Sequence, residues 1–215
     1  MTINTVLFDL DGTLINTNDL IIASFEYVLD KYAPGRYSRE DIIHFIGPPL
    51  TDSFQEVDPE RAEEMIALYQ KHNLAHHHDL LKEYEGVTDT VKELYDHGYK
   101  LGIVTTKRKQ SALLGIKEAG LAPYFPVVVT FDDVDHVKPN PEPINLAMDQ
   151  LRSDPGNTLM VGDSPHDILD GKNAGVQTAG VAWTIKGESS LASLEPDFML
   201  RTMPDLLYYL GVKMA

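Results

Sequence analysis

Two carboxylates, Asp9 and Asp11, stand two residues apart where the apolar run Thr5-Val6-Leu7-Phe8 gives way to Gly12 and Thr13. A short apolar run stopped by Asp and Gly reads as a buried strand ending in a functional turn. Both acids can reach one small site there. With a divalent cation, one could attack phosphorus while the other moves a proton. The alternative for this stretch alone is an Asp-Gly turn with both acids in water.

Other residues bear on that choice. Thr105 and Thr106 follow the run Leu101-Gly102-Ile103-Val104, and Asp163 follows Leu159-Met160-Val161-Gly162, with Asp167 in the next turn. Lys138 precedes Pro139 in a proline-rich loop. Singly, each has an ordinary reading: a strand end, a solvated lysine, acids that cap the next helix. Together they supply a nucleophile, a proton shuttle, hydroxyl and cationic phosphate binders, and carboxylates for Mg2+. Those are the parts that phosphoryl transfer through an aspartyl intermediate needs.

The elements that must position these residues follow from periodicity. After Leu14, helical spacing is predicted from Asn18 to Lys31, with Asn18 as N-cap. A second helix starts at Ser38, and Gly47-Pro48-Pro49 breaks it. A short segment from Thr51 to Val57 follows. Pro59 is expected to open a longer helix toward His78. Nothing between Ile15 and Leu81 reads as a strand, so residues 15–83 are expected to form an inserted helical cap domain. Residues 1–14 and 84–215 form the core in this reading, in which strands alternate with amphipathic helices. That rhythm predicts an α/β, Rossmann-like doubly wound parallel sheet with helices on both faces. Sites in such sheets lie at the carboxyl ends of the strands, where the acids, threonines and lysine fall.

Composition sets further bounds. The chain has 215 residues, 43% hydrophobic and 24% charged, and no cysteine. Disulfides, thiolate zinc sites and thiol nucleophiles are excluded. A formal net charge of -15 disfavours nucleic acid and anionic membrane surfaces as partners. No apolar run approaches the ~20 residues that span a bilayer, and the start lacks signal-peptide character, so a cytoplasmic location is expected. The oligomeric state is open, and a monomer is compatible with the sequence.

The ordered set Asp9-Leu10-Asp11-Gly12-Thr13, Ile103-Val104-Thr105, Lys138-Pro139 and Gly162-Asp163-Ser164-Pro165-His166-Asp167 resembles the haloacid dehalogenase superfamily of phosphotransferases. In its loops, at residues 11–18, 45–50, 138–143 and 180–187, the chain is similar to the phosphoglycolate phosphatase branch and its bacterial cytosolic pyrophosphatases. The resemblance implies that Asp9 attacks phosphorus and that Asp11 serves as acid and then base, its backbone carbonyl ligating Mg2+. It implies that Thr105, Thr106 and the loop at Gly12 and Thr13 bind phosphoryl oxygens, and that Lys138 neutralises charge. Asp9 and Asp163 would ligate Mg2+ with the Asp11 carbonyl, and Asp167 would support the ion or orient Lys138. An acid at position 11 favours phosphate over carbon–halogen chemistry. Gly47 and Pro48 would face the substrate from the cap.

The expected activity is therefore Mg2+-dependent hydrolysis of a small phosphorylated substrate, pyrophosphate favoured. Phosphoglycolate or another small monoester is the alternative, and a phosphate sensor without turnover is the alternative from another class. His72, His76, His77 and His78 are read as a solvated helix end rather than a metal site. Trp183 and Lys186-Gly187 are read as packing and a turn, with a place beside the site as the alternative.

Overall fold

In the computed structural model, which describes residues 2–212, Thr5–Phe8 is a strand (β1) buried along its whole length. Val6 and Phe8 join one apolar cluster and Leu7 another, on opposite faces. A strand covered on both sides needs this continuous apolar run. The chain next forms a two-residue strand, Ile15–Asn16 (β2), and then four helices: Asn18–Tyr32 (α1), Arg39–His44 (α2), Leu50–Val57 (α3) and Ala62–Leu80 (α4). It returns through Lys82–Glu83 (β3), which pairs antiparallel with β2.

A regular alternation follows: Val87–Asp96 (α5), Lys100–Val104 (β4), Lys109–Glu118 (α6), Val127–Val129 (β5), Glu142–Leu151 (α7), Thr158–Gly162 (β6), Pro165–Ala174 (α8) and Gln177–Val181 (β7). Glu188–Ala192 (α9), Phe198–Leu200 (β8) and Asp205–Tyr209 (α10) complete it. The large sheet has six strands in the order β5-β4-β1-β6-β7-β8. Every pair in it is parallel. β1 lies between β4 and β6, so successive strands step outward on either side of it. The crevice at its carboxyl end is the switch point of the sheet. One face is closed by α7 and α8, and the other by α5, α6 and α10.

Helices α1 to α4 bury a separate cluster around Phe25, Phe45, Phe54, Met65 and Tyr69. Its aromatic centre is tight, with Phe25 4.9 Å from Tyr69 and 5.3 Å from Phe54, ring centre to ring centre. The Ser38 start holds as a full capping box with Asp41.

Three local expectations need correction. Ile15–Asn16 is a strand, because β3 returns beside it and tertiary pairing outweighs a two-residue signal. α1 is capped by Thr17 rather than Asn18, and the Thr17 hydroxyl caps nothing because it is used elsewhere. α4 starts at Ala62 rather than Pro59, since Asp58 organises a turn there by accepting from the Glu60 amide and the Arg61 side chain.

Candidate active site

Strand β1 delivers Asp9 to the switch point, its amide donating to the Val161 carbonyl at 2.9 Å and so fixing it against β6. The turn that follows needs Gly12 twice over. Its φ is +82°, and a Cβ there would collide with the Asp163 carboxylate. Thr105 leaves β4 with its amide bonded to the Val129 carbonyl at 2.9 Å, and its hydroxyl accepts from the Lys107 amide at 3.1 Å. Ser164 and Asp167 form a capping box at the start of α8, which places Asp163 just outside the helix.

Lys138 ties these parts together. Its ammonium donates to Asp9 Oδ1 at 2.7 Å, Asp167 Oδ1 at 2.7 Å and the Val104 carbonyl at 2.6 Å. An ammonium has three protons, so its donor capacity is filled. Burial alone would push Lys138 down, but Asp167, Asp9 and Asp170 more than offset that and hold it above its ordinary value. Asp9 is pushed up to about 7, chiefly by burial, with Lys138 pulling the other way. Asp163 is raised well above the usual carboxylate range, also by burial first and then by Asp9 and Asp167.

Asp9, Asp163 and Asp167 each present an oxygen within 4.8 Å of the others, and all three are buried. Oxygen donors alone suit a hard divalent cation, and burial has left these acids short of positive charge. The residues therefore fit a metal site. Asp167 is the least free of them, because its Oδ2 also accepts from the Ser164 amide at 2.9 Å and hydroxyl at 2.7 Å.

The Asp11 side chain points away from that trio. It accepts from the Thr17 hydroxyl at 2.5 Å and from Lys107 Nζ at 2.8 and 3.0 Å. Asp9, Asp11, Thr105, Thr106, Lys138, Gly47 and Pro48 all line one cavity of about 90 Å³, between the sheet edge and helices α1 to α4. Two expected binders are differently placed. The Thr106 hydroxyl donates to the Gly47 carbonyl at 2.9 Å, tying the β4 loop to the helical segment rather than standing free for phosphate. Thr13 is fully buried behind the turn and its hydroxyl has no partner, so only the backbone of that loop is near the site.

Sequence reasoning missed Lys107, although a Thr-Thr-Lys-Arg loop at a strand's carboxyl end was a signal for an anion site. It also missed Asp170, one turn beyond Asp167 on α8. Both Asp170 oxygens are buried without a partner, and burial pushes the group up to about 7 from 3.8. The native state then holds a proton that the unfolded chain releases, so stability falls as pH rises from about 4 through about 7. Asp170→Asn is expected to stabilise the fold by about 2 kcal/mol more at pH 8 than at pH 5, and so to raise Tm more at the higher pH. Thermal melts at the two pH values check this.

Lys186 is at the site after all, as the alternative reading allowed. It is half-buried, feels Asp163 and Asp167, and its Nζ lies 3.6 Å from where a Cβ on Gly47 would stand. The histidine run is not uniformly solvated. His77 is fully buried with Nδ1 2.7 Å from Glu118 Oε2, joining α4 to α6, while His72 Nδ1 meets the Ser24 hydroxyl at 3.1 Å. No metal-ligand group forms from the histidines among the described residues.

The sequence profile for haloacid dehalogenase-like hydrolase matches residues 6–181. The chain belongs to the haloacid dehalogenase-like hydrolase family. It is 58% identical over 213 residues to pyrophosphatase PpaX of Halalkalibacterium halodurans, covering 99% of each chain. It is 59% identical over 212 residues to pyrophosphatase PpaX of Anoxybacillus flavithermus, again covering 99% of each. Among solved structures, a putative haloacid dehalogenase-like hydrolase from Bacteroides fragilis superposes with a TM-score of 0.89 at 26% identity, over 95% of this chain and all 100% of that one. The chain is thus a haloacid dehalogenase-like phosphatase. No helix among the described residues is long and apolar enough to cross a membrane.

Proposed function

We propose that the protein hydrolyses inorganic pyrophosphate to two phosphates through an aspartyl-phosphate on Asp9. Full-length identity to two proteins named pyrophosphatase PpaX carries the choice of substrate. The cavity agrees with it, since about 90 Å³ is room for a few water-sized groups. In the first step, an Asp9 oxygen attacks one phosphorus and the bond to the bridging oxygen breaks. The electron pair stays on the bridging oxygen, which takes a proton from Asp11. In the second step, water attacks the same phosphorus, gives its proton to Asp11, and Asp9 leaves as carboxylate. Lys138 holds the nucleophile in place and balances its charge, and Asp167 aims Lys138. Thr105 binds the transferring oxygens. Asp9, Asp163 and the Asp11 carbonyl would hold Mg2+, which when bound supplies positive charge at the phosphoryl oxygens. Helices α1 to α4, here read as a cap domain of residues 15–83, exclude bulk water.

A small phosphomonoester such as phosphoglycolate is the second reading. One wall of the cavity favours it: Ile21, Phe25, Phe45 and Leu50 offer apolar surface to a carbon-bearing leaving group. A sensor without turnover has less support, because a pure binder needs neither Asp9 nor Asp11 in these positions. A panel of pyrophosphate, phosphoglycolate, sugar phosphates and nucleotides with Mg2+ tests the choice. Pyrophosphate is expected to give a kcat/KM at least about tenfold above the rest, which is about 1.4 kcal/mol of discrimination. A lead by phosphoglycolate would remove the pyrophosphate reading and leave the covalent mechanism standing.

A further inference from the structure

The leaving group of an in-line displacement must depart on the side away from the nucleophile and toward the acid. In this cavity that is the side of Asp11. What else stands there is informative. The walls supplied by α1 to α4 carry no charged residue: Ile21, Phe25, Phe45, Leu50, Ile66 and Tyr69 are typical of them. Their polar side chains are Thr51, Gln70 and Asn73, and of these Asn73 is the one buried with an unpartnered donor. Asn73, on α4, lines the cavity, is only 2% exposed, and its Nδ2 has no hydrogen-bond partner. Leaving such a buried amide donor unpaired is costly, and nearly all buried polar groups avoid it. Asn73 follows Tyr69 by one helical turn on the same face. Tyr69, Asn73 and Asp11 line the same cavity.

The second observation is Lys107. Its ammonium touches both oxygens of Asp11, and Thr17 donates to one of them. Every contact given to this carboxyl makes it an acceptor. An acid that must protonate a leaving oxygen has to present a proton instead, so one oxygen must first lose Lys107. An anionic leaving group that arrives beside Asp11 offers Lys107 a new partner.

Resting on the reading that Asp9 attacks a phosphoryl group in this cavity, we propose that Asn73 and Lys107 form the subsite for the leaving half of the substrate. The ligand it takes is a second oxyanion, a phosphate or carboxylate. Asn73 Nδ2 donates to one of its oxygens. Lys107 moves from Asp11 to another, which frees one Asp11 oxygen to face the bridging oxygen. A neutral leaving group does not draw Lys107 away.

The probe is methylenediphosphonate, which has two phosphoryl groups and no hydrolysable bridge, with orthophosphate as the single-anion control. Binding is measured by calorimetry in Mg2+ on wild type, Asn73→Leu and Lys107→Gln. Asn73→Leu is expected to weaken methylenediphosphonate about tenfold, the worth of one hydrogen bond to a charged group, and orthophosphate less than threefold. Its Tm is expected to hold or rise, since an apolar isostere removes a buried orphan; a residue there for structure alone would lower Tm. Lys107→Gln is expected to weaken methylenediphosphonate by about tenfold or more and to lower kcat. Should Asn73→Leu unfold, Asn73→Ala supplies the same binding comparison.

Unchanged methylenediphosphonate affinity in the Asn73 variants, or equal weakening of both probes, would overturn the subsite. Failure of the pyrophosphatase reading looks different. Wild type would then prefer another substrate in the panel, while the Asn73 variants still lost methylenediphosphonate selectively.

Discussion

Asp9→Asn is expected to lose turnover by about 10⁴-fold or more, because an amide cannot form the covalent intermediate and no other group reaches the phosphorus in its place. The fold is expected to survive. Asn matches Asp in shape and still accepts from Lys138. The wild-type carboxyl is also a burden at high pH. Its folded value of about 7 lies above the ordinary 3.8, so the stability it withholds is fully lost above pH 7 and least below pH 4. Tm of Asp9→Asn at pH 8 should therefore equal or exceed that of wild type. Steady-state rates and melts on the same preparation check both halves. Hydroxylamine treatment of quenched wild-type enzyme should release phosphate held on protein, and that signal should be absent in the variant. Appreciable turnover by Asp9→Asn would rule out the covalent route.

Lys138→Met is the second large effect, and it works through stability as well as rate. Lys138 is 4% exposed, and its ammonium answers Asp9, Asp167 and the Val104 carbonyl at once. Taking it away strands buried charges, which costs about 3–5 kcal/mol when a buried pair is broken from one side. For a chain of this size that is a Tm loss of about 6–20 °C. The loss should be larger at pH 8 than at pH 5. Without the cation Asp9 titrates higher, so at low pH it accepts a proton and the missing charge matters less. Divalent cation should recover part of the Tm, since it binds the same acids. Activity should stay low even then, because the nucleophile is no longer held. A variant as stable as wild type at pH 8 would mean that Lys138 is not the charge that balances this cluster.

Much of the sheet was legible because its strands are apolar runs with polar groups at one end. β1, β4 and β6 each end where a residue with chemistry begins. The order of strands is not written in any one run, and the two-residue strands β2 and β3 have no local signal. They exist because they meet each other. The site was legible to the extent that it is built from strand ends: Asp9, Thr105 and Asp163 converge on one crevice, and Lys138 reaches it from its loop. What stayed hidden depends on the approach of distant segments. Thr106 was read as a phosphate binder, and it is Gly47, far away in the chain, that engages its hydroxyl. Thr17 looked unremarkable beside Asn18, yet it gives up the role of helix cap to hold Asp11. Asn73 lay inside a stretch that drew attention only for its histidines. Nothing in its neighbours shows that its amide is buried without a partner.

The pairing of β2 with β3 has a further consequence. Ile15 faces Glu83 and Asn16 faces Lys82, which is the register of an ordinary β-hairpin whose turn has been expanded into four helices. Loop closure grows only with the logarithm of length, so that expansion asked little of the strands. It follows that the stem could be closed by an Asn-Gly turn, giving a miniature protein with an open, solvent-washed site. The stem would equally accept a different set of helices. Along the chain, the four helices are joined to the six-stranded sheet through one small ribbon.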